Sequence, residues 1–493
     1  MIQRLFRYRY LAMLLAVGFV YQSAECFGGR LYVGGASISI TPDEPVALSG
    51  QRRTRIAKTV ESPCTATALA LETRDGDQSL AQTIFVSCDL VAIRGGEEFY
   101  DEVRAELKGR VPDEVLQKLV INATHTHTGP VTLANRYNLP AEGVMAPEKY
   151  RAWLMKQLGD VIAEAWEKRA PGRVAWGLGH AVIAHNRRAV YGNETAAMYG
   201  ETNSANFRGM EGTEDHGVEI LYFWNDADEL IATAINVACP SQEVESRNKV
   251  NADFWHPVRE KLKAKHGEDL NVIAWTGAGG DQSTHLMYRE KAEERMRKLR
   301  GVDALNDLAQ RIVTTWEDVY EVVKKDQHKE VELAYHAETI QLPYRIITEK
   351  EMERAKQAIS KLPPGHANSK WNQRWHGSVV DRYERQQSES LHYDMTLRAV
   401  RIGDVAIATN DFELFTDFGV QMKSRSPALQ TFVIQLCGSG SYLPTVRGVR
   451  GGGYSAVAES SVIGPVGGQV LVNETVDAIK SLWPSDDKSK SQK

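Results

Sequence analysis

The chain has 493 residues, of which 42% are hydrophobic and 25% are charged, so it is long enough for one large globular domain or two of ordinary size. Its formal net charge of -5 excludes the basic surface that nucleic-acid or anionic-membrane binding usually requires. The composition therefore favours small-molecule or protein partners and excludes disorder as the general state of the chain.

The first 28 residues have the composition of a secretory signal peptide. Arg4, Arg7 and Arg9 precede the apolar run YLAMLLAVGFV, and the small or polar stretch QSAECFGG follows it. The run is shorter than the about 20 residues that a membrane-spanning helix needs, and no later stretch comes closer. We therefore expect a secreted or periplasmic protein without a transmembrane span. SAEC is a poor lipobox, so lipid anchoring through Cys26 is not expected.

Short apolar runs alternate with longer helical patterns along the rest of the chain, which predicts a mixed α/β class. Strands are predicted at residues 67–72, 83–90, 119–126, 218–224, 230–239, 270–278, 405–410 and 432–438. Helices are predicted at residues 97–109, 147–168, 254–265, 289–323 and 349–361, the third with Asp253 as its N-cap. Several strands end where polar residues begin, which is typical of catalytic groups in open α/β sheets.

Two segments near the end of the chain lack this alternation. Residues 362–390 are polar, are interrupted by Pro and Gly and show no periodicity, so the sequence predicts a long excursion or a lid. Residues 485–493, SDDKSKSQK, are expected to form a disordered tail.

Four cysteines follow the signal segment, and no two of them form a CxxC motif, which excludes a zinc ribbon: Cys64, Cys88, Cys239 and Cys437. Up to two disulfides could form in an oxidising compartment. Small buried hydrophobic side chains are the simpler interpretation of Cys64 and Cys88.

The segment INATHTHTGP, residues 121–130, carries the first chemical signal. His125 and His127 lie two apart, so both side chains point to the same face if the strand continues through them. Two imidazoles on one face can share zinc, copper, iron or nickel, and the following Gly-Pro turn would open the site to solvent. Taken alone, the motif is also the pattern of two exposed histidines at a strand end.

Three further segments place polar side chains directly after predicted strands. WTGAGGDQSTH, residues 275–285, enters a glycine-rich turn with Ser283 and His285, where a ligand could approach the backbone closely. No GK[ST] follows the glycines, which disfavours a phosphate-binding loop. NDFELFTDFG places Glu413 after one strand, and GSGSYLPT places Tyr442 after another. Each segment by itself is also compatible with an ordinary turn.

Taken in order, these segments resemble the catalytic domain of the neutral ceramidases, zinc-dependent amidases that cleave the N-acyl bond of ceramide. The resemblance covers about residues 30–470 and rests on VGGASISITPDEPVALSGQ, VSCDL, ATHTHTGP, AHNRR, INVACPSQ, GGDQS, DFELFTDFG and SYLPT, followed by a glycine-rich loop to Tyr454. It implies mixed sheets with flanking helices, one catalytic domain over residues 29–484, Zn2+ as cofactor, and an N-acyl lipid substrate that a membrane surface could present.

The resemblance also implies roles for individual residues. The proposed zinc ligands are His125, Glu413 and Tyr442. The residues expected around the metal are His127, Arg187, Ser283 and Tyr454. Ser283 corresponds to a serine assigned as nucleophile or as a water-positioning hydroxyl. A zinc ion with an open position lowers the pKa of bound water to about 7 and polarises an amide carbonyl. Arg187, His127 or a tyrosine could stabilise the oxyanion.

The chain departs from the family at a metal ligand. The family's second histidine stands in a segment like NFAVHPTSM, and the matching NVACPSQEVE has Cys239 in its place. Thiolate is a common zinc ligand, so a His, Cys, Glu, Tyr site is one interpretation. In a second, His256 or His285 supplies the nitrogen. In a third, metal binding is lost and the protein is a binding module.

Two other departures affect the expected substrate. The serine turn reads GDQSTH where the family usually reads like GDxSPN. The family enzymes also carry a C-terminal immunoglobulin-like domain, which is not expected here because the chain stops just after the catalytic region.

The sequence thus predicts an exported zinc-dependent hydrolase that cleaves a linear amide, with ceramide or a related N-acyl lipid as the first substrate class. The attacking group would be metal-activated water or a serine-assisted nucleophile. One alternative is a hydrolase of the same fold that acts on a sugar- or peptide-derived amide or ester. Another is a non-catalytic binding protein with a degenerate metal site.

Overall fold

The structure, a computed structural model, describes residues 28–140, 142–363 and 369–483. The expected signal peptide, apart from Gly28, and the expected tail lie outside these residues. None of the helices within these ranges is long and apolar enough to cross a membrane.

The described residues form strands and helices throughout the chain. The strands are β1 (Gly29–Ser39), β2 (Val46–Ala47), β3 (Ile56–Ala57), β4 (Thr65–Asp75), β5 (Gln78–Cys88), β6 (Leu119–Ala123), β7 (Ala170–His180), β8 (His185–Asn186), β9 (Arg188–Tyr191), β10 (Ala196–Met198), β11 (Phe207–Met210), β12 (Gly217–Asn225), β13 (Leu230–Val237), β14 (Asn271–Thr276), β15 (Gln282–Ser283), β16 (Glu330–Val331), β17 (Leu333–Pro343), β18 (His392–Ile402), β19 (Val405–Thr409), β20 (Glu413–Leu414), β21 (Gln430–Ile434) and β22 (Tyr442–Leu443). The helices are α1 (Glu97–Leu107), α2 (Asp113–Leu116), α3 (Pro147–Glu167), α4 (Trp255–His266), α5 (Glu290–Arg300), α6 (Ala304–Val323), α7 (Glu349–Ser360), α8 (Ser369–Arg385), α9 (Thr416–Arg425), α10 (Val446–Gly451) and α11 (Pro465–Ser481).

Two mixed sheets form the centre of the molecule, as the predicted fold class requires. The larger runs in the order β14-β13-β12-β7-β1-β4-β5-β6, with β16 paired to β1. The smaller runs in the order β17-β18-β19-β21. Three pairs are parallel, namely β13 with β14, β5 with β6, and β19 with β21, while the other pairs within these two sheets are antiparallel. In each parallel pair, the chain leaves both strands at the same edge of the sheet.

Neighbouring residues of the central strands serve two different apolar cores. In β4, Ala68 and Ala70 pack in the core shared with α1 and α3, whereas Leu69 and Leu71 pack in the core between the two sheets. Helices α4 and α6 cover the other half of the large sheet, and α9 and α11 cover the outer side of the small one. The result is a helix, sheet, sheet, helix layering in which central strands are buried on both faces and therefore have continuous apolar sequences.

The long helix predicted at residues 289–323 is divided into α5 and α6. Gly301 ends α5 with a φ of 68°, a left-handed conformation that glycine adopts without steric cost. Asp303 then caps α6, because its side chain accepts a hydrogen bond from the Asn306 backbone N–H at 2.8 Å.

The segment 362–390, predicted as an excursion or lid, contains helix α8. Trp371, Trp375 and Val379 recur at intervals of four residues and so lie on one side of this helix. The apolar residues are too few to produce a clear periodic pattern among their polar neighbours, which explains why the sequence predicts no helix here. Movement of this segment as a lid stays a prediction.

The four cysteines within the described residues are buried and unpaired: Cys64, Cys88, Cys239 and Cys437. Cys64 and Cys88 lie in the core beneath α1 and α3. Burial raises the pKa of both thiols, which keeps them protonated and chemically inert. The two cysteines therefore act as small apolar side chains.

Candidate functional site

A cavity of about 780 Å³ opens where strands of both sheets end. Segments that leave β6, β13, β19 and β21 supply polar side chains to its wall, as expected for the ends of strands in an open α/β fold. Most of the predicted site residues line this cavity, namely His125, His127, Arg187, Glu413, Tyr442 and Tyr454. Several residues that were not predicted line it as well, among them Tyr199, Gln242 and Glu245.

A buried carboxylate fixes the segment that leads into the two histidines. Asp89 accepts hydrogen bonds from the Thr65 backbone N–H at 2.9 Å and from the Thr124 hydroxyl at 3.1 Å. Arg259 of α4 donates to both of its oxygens, at 2.6 and 3.1 Å. Because these contacts join β4, the end of β6 and α4, the backbone that precedes His125 is held from three sides.

The two histidines meet for a reason other than strand alternation. Strand β6 ends at Ala123, and His125 has a φ of 67°, a left-handed conformation that is uncommon for residues other than glycine. The strand does not continue through the two histidines, so the condition under which strand alternation would place both side chains on one face is not met. The turn nevertheless brings the Nε2 atoms of His125 and His127 to 3.2 Å, with the two ring planes inclined at 65°.

The hydrogen-bond partners of both rings define where their lone pairs point. His125 Nδ1 lies 2.6 Å from the Val91 carbonyl oxygen, which can only accept, so Nδ1 carries the proton. His127 Nδ1 lies 3.0 Å from Glu245 Oε2, although the N–H direction departs from that of a good hydrogen bond. His125 therefore presents its Nε2 lone pair to the cavity, next to the Nε2 edge of His127.

Gln242 is the neighbour that completes this arrangement. Its Oε1 accepts a hydrogen bond from Arg187 at 2.9 Å, so its amide nitrogen must face His127 Nε2, at 2.7 Å. Gln242 therefore connects the buried guanidinium to the exposed edge of the imidazole pair.

Glu413 and Tyr442 are adjacent because the short strands β20 and β22 pair in parallel with these two residues in register. Glu413 Oε2 lies 3.4 Å from His125 Nε2. Burial by itself would raise the pKa of Glu413, but His125 and Arg187 outweigh it and lower the pKa to about 2. Burial and the Glu413 charge raise the pKa of Tyr442 well above its ordinary value, so the phenol stays protonated beside an ionised carboxylate.

Arg187 is a fully buried cation at the floor of the cavity. It donates to the Gly280 carbonyl at 2.9 Å and to the hydroxyls of Tyr199 and Tyr442 at 3.1 and 3.3 Å. Its Nη2 also lies 3.9 Å from Glu413. Burial opposes the charge, but Tyr442, Tyr199 and Glu413 outweigh it and raise the pKa of Arg187, so the guanidinium remains charged.

Ser283 lies behind the cavity wall. The side chain is fully buried, and its hydroxyl accepts hydrogen bonds from the Tyr199 hydroxyl at 3.0 Å and the His285 backbone N–H at 3.1 Å. Tyr199 therefore separates Ser283 from the cavity, and it is Tyr199 that lines the wall. Tyr454 does line the wall, with its ring 5.8 Å from that of Tyr442.

The structure does not bring Cys239 to the cavity. Its side chain packs in the apolar core that contains Val237 and Phe254, and its thiol contacts the Pro240 carbonyl at 3.5 Å. Burial raises the pKa of this thiol well above its ordinary value. The two histidines considered as replacements are also absent from the wall: His256 is half-buried on α4, and His285 lies 3.5 Å from Glu245 on the outer side.

The residues present fit a zinc ion in donor type. Tetrahedral zinc with bonds of 2.0–2.1 Å separates its donor atoms by about 3.3 Å. The observed separation of 3.4 Å between His125 Nε2 and Glu413 Oε2 matches that value. Within the described ranges, no three His, Cys, Asp or Glu side chains are grouped as a metal site. The Tyr442 phenol, in register with Glu413, is the further donor that the resemblance implies.

The residues of the cavity wall that were not predicted from the sequence include Gln242, Glu245 and Tyr199. Gln242 and Glu245 belong to the segment NVACPSQEVE, in which only Cys239 was predicted as a site residue. A signal was available, because polar residues three and six positions after Cys239 also follow the end of strand β13. Tyr199 offered none, because it follows the short strand β10 far from any recognised motif.

Comparison with known proteins supports the fold independently of these contacts. No protein-family model matches the chain, and no curated protein matches it in sequence. The similar solved structures include the neutral ceramidase from Pseudomonas aeruginosa, with a TM-score of 0.67, and a ceramidase complexed with C2, with a TM-score of 0.66. Both are 15% identical and match 92% of this chain; the matched regions cover 74% and 75% of those chains. The fold that the resemblance implied is confirmed.

Proposed function

We propose that this protein is a hydrolase that cleaves a linear amide, with N-acyl lipids such as ceramide as the first substrate class. The observation that carries the proposal is the convergence of His125, His127, Arg187 and Glu413 at the floor of one cavity, within a fold shared with a neutral ceramidase. Export through the N-terminal segment is part of the same proposal.

Zinc is the proposed cofactor, and His125, Glu413 and Tyr442 would hold it. Bound there, the ion would supply Lewis acidity and lower the pKa of a water molecule. Cys239 is not included in this set, because its sulfur lies in the apolar core away from the cavity wall.

His127 and Glu245 are suited to moving the proton. Burial lowers the pKa of His127, so the ring is neutral at neutral pH. Its Nε2 accepts a hydrogen bond from the Gln242 amide, and the same lone pair would accept the proton of the attacking water once the water replaces that donor. The Glu245 carboxylate, 3.0 Å from Nδ1, stabilises the imidazolium that results. The same ring can then protonate the leaving amine. Arg187, with its fixed charge, would orient Gln242 and Tyr442 around the reacting carbonyl.

Metal analysis of the purified protein tests the proposed ligands. We expect about one zinc ion per chain in the wild type, and loss of the metal in His125→Ala and Glu413→Gln. Cys239→Ala is the matched control and should retain zinc. Loss of zinc from Cys239→Ala with retention in Glu413→Gln would instead assign the metal to the thiolate.

Hydrolysis assays test the substrate class. A fluorogenic short-chain ceramide should be cleaved by the wild type and not by Glu413→Gln. Simple acyl amides and acetylated amino sugars serve as comparison substrates. Turnover of those compounds without turnover of ceramide would favour the second candidate, a hydrolase of more polar amides or esters. The six arginines that line the cavity favour that candidate, because a neutral lipid offers them no counter-charge.

The protein would be a binding module if it bound these compounds without cleaving any of them and if the variants bound them unchanged. That result would exclude the hydrolase proposal.

A further inference from the structure

The upper wall of the cavity carries an excess of positive charge. Arg52, Arg53, Arg94, Arg136 and Arg374 line it in addition to Arg187 at the floor. Within the described parts of the chain, none of these five upper arginines forms an ion pair with a carboxylate. We call them the arginine wall.

The carboxylates of the same cavity are already occupied by other partners. Glu459 lies 2.9 Å from Arg354 and 3.2 Å from His376, both outside the wall. Glu245 contacts His127 and His285, and Glu413 contacts His125. Among the described residues that surround the cavity, no carboxylate therefore forms an ion pair with the arginine wall, and the charge of Glu413 only partly offsets the burial of Arg94.

The surroundings of two of these arginines disfavour the charged form of the guanidinium. Arg94 donates to the carbonyls of Ser439 and Gly440, which are neutral. Burial first, and then the charge of Arg136, lower the pKa of Arg94 to about 10. Burial and the charge of Arg374 likewise lower the pKa of Arg136. The Nε atoms of Arg94 and Arg136 are buried without a hydrogen-bond partner. Such mutual repulsion is relieved when an anion binds.

Aromatic rings complete the upper wall. Trp371 and Trp375 of α8 lie 5.4 Å apart, and the Arg52 guanidinium lies over both rings at 4.9 and 4.3 Å. The same guanidinium lies 4.5 Å from the Tyr454 ring. These rings position Arg52 beside the route from the mouth to Glu413 and offer flat apolar surfaces to the uncharged part of a ligand.

We propose that the natural substrate is anionic: an amide or ester that also carries a carboxylate, sulfate or phosphate group, which the arginine wall binds while the scissile bond reaches His125 and Glu413. Guanidinium groups are well suited to all three anions, because their paired N–H groups match the spacing of the oxygens. This inference deepens the proposed hydrolase function and rests on it for the position of the scissile bond.

Direct binding of simple anions tests the wall without requiring turnover. Sulfate, phosphate and glucuronate are titrated into the wild type and into Arg136→Gln and Arg374→Gln by calorimetry. We expect each substitution to weaken binding of the preferred anion roughly tenfold, because one charge-assisted hydrogen-bond pair is lost. Arg374 is exposed, so its variant should fold normally. Arg208→Gln, an exposed arginine outside the cavity, is the matched control and should bind like the wild type.

Matched substrates distinguish the source of the anion. A short-chain ceramide is compared with its phosphate ester, and an acetylated amino sugar with its sulfate ester. We expect the charged member of one pair to have a KM at least about tenfold lower than its neutral partner, and Arg374→Gln to remove that difference. Equal KM values within both pairs, or anion affinities that the arginine substitutions leave unchanged, would overturn the inference. Arginine-dependent anion binding without any hydrolysis would instead overturn the hydrolase proposal and leave the anion site standing.

Discussion

Asp253 is a buried carboxyl that holds the segment between β13 and α4. It does not cap α4 as expected, because the helix begins at Trp255 with Phe254 as its N-cap. Its Oδ2 accepts a hydrogen bond from the Val244 N–H, and its Oδ1 accepts one from the Phe254 N–H, both at 2.9 Å. Val244 lies between Gln242 and Glu245, so this carboxyl fixes the backbone that presents both residues to the cavity.

The pH dependence of stability should report on Asp253. Burial raises its pKa from the ordinary 3.8 to about 6 despite the two hydrogen bonds. The folded protein therefore binds more protons than the unfolded chain between these values. The resulting stabilisation is complete below the unfolded pKa and is lost as the pH rises through the folded pKa. Relative to Asp253→Asn, the wild type should lose up to about 3 kcal/mol of unfolding free energy between about pH 4 and pH 7.

Urea unfolding of both proteins at several pH values measures this difference. The slopes with pH are compared, rather than the absolute stabilities, because asparagine can accept with only one oxygen and loses one of the two hydrogen bonds. Parallel pH profiles for the two proteins would contradict the assignment.

At the scale of elements, helix α8 forms part of the cavity wall. One side of it presents Trp371, Arg374, Trp375 and Ser378 to the cavity. Arg382 at its far end donates to backbone carbonyls of the segment that precedes α11, which fastens the helix to the domain. The helix thus provides a surface that faces the cavity, from a segment whose sequence predicts an excursion or a lid.

Replacing Trp375 should affect substrate binding more than folding. Trp375→Ala removes a ring that contacts Arg52, Trp371 and Tyr454. Contacts of this kind contribute about 1 to 2 kcal/mol, so we expect KM to rise roughly tenfold with kcat nearly unchanged. Gln373→Ala, an exposed position on the same helix, is the control and should leave KM unchanged. Unaltered KM in Trp375→Ala would show that the substrate does not reach α8.

At the scale of the whole molecule, the two sheets are joined at the cavity floor through Gly280. Its N–H donates to the Leu414 carbonyl at 2.8 Å, and its own carbonyl accepts from Arg187. A Cβ atom at this position would lie 2.2 Å from the Glu413 carbonyl oxygen, which is backbone and cannot rotate away. The close approach of the turn after β14 to β20, and therefore the position of Glu413, depends on a residue without a side chain.

Gly280→Ala should consequently damage both stability and activity. We expect a loss of about 3 kcal/mol or more in unfolding free energy, because the added methyl must separate the segments of the two sheets. Displacement of Glu413 should also lower kcat/KM by about a hundredfold. Gly377→Ala in α8 is the control: nothing lies within 4 Å of its added Cβ. That substitution should be neutral or stabilise by up to about 1 kcal/mol. Equal melting temperatures for the two variants would contradict this account of Gly280.

How much of the fold was predictable depended on burial. Strands such as β5, β12 and β19 were predicted because both of their faces are buried, which leaves an uninterrupted apolar run in the sequence. Strand β7 was missed because proline and three glycines interrupt it, and β17 was missed because much of it is exposed and polar. Tertiary pairing stabilises these strands where local propensity does not.

The sequence by itself determined the α/β class and the association of polar residues with strand ends, and it predicted four of the residues that line the cavity: His125, Arg187, Glu413 and Tyr442. Those features follow from local patterns and from an ordered set of motifs. Only the tertiary structure decided that Cys239 packs in a core while Gln242 and Glu245 reach the cavity, and that arginines from four separate segments form one wall. The physical reason is that the direction of each side chain after a strand depends on a few backbone torsions, such as the positive φ of His125. The meeting of distant segments depends on how the two sheets pack.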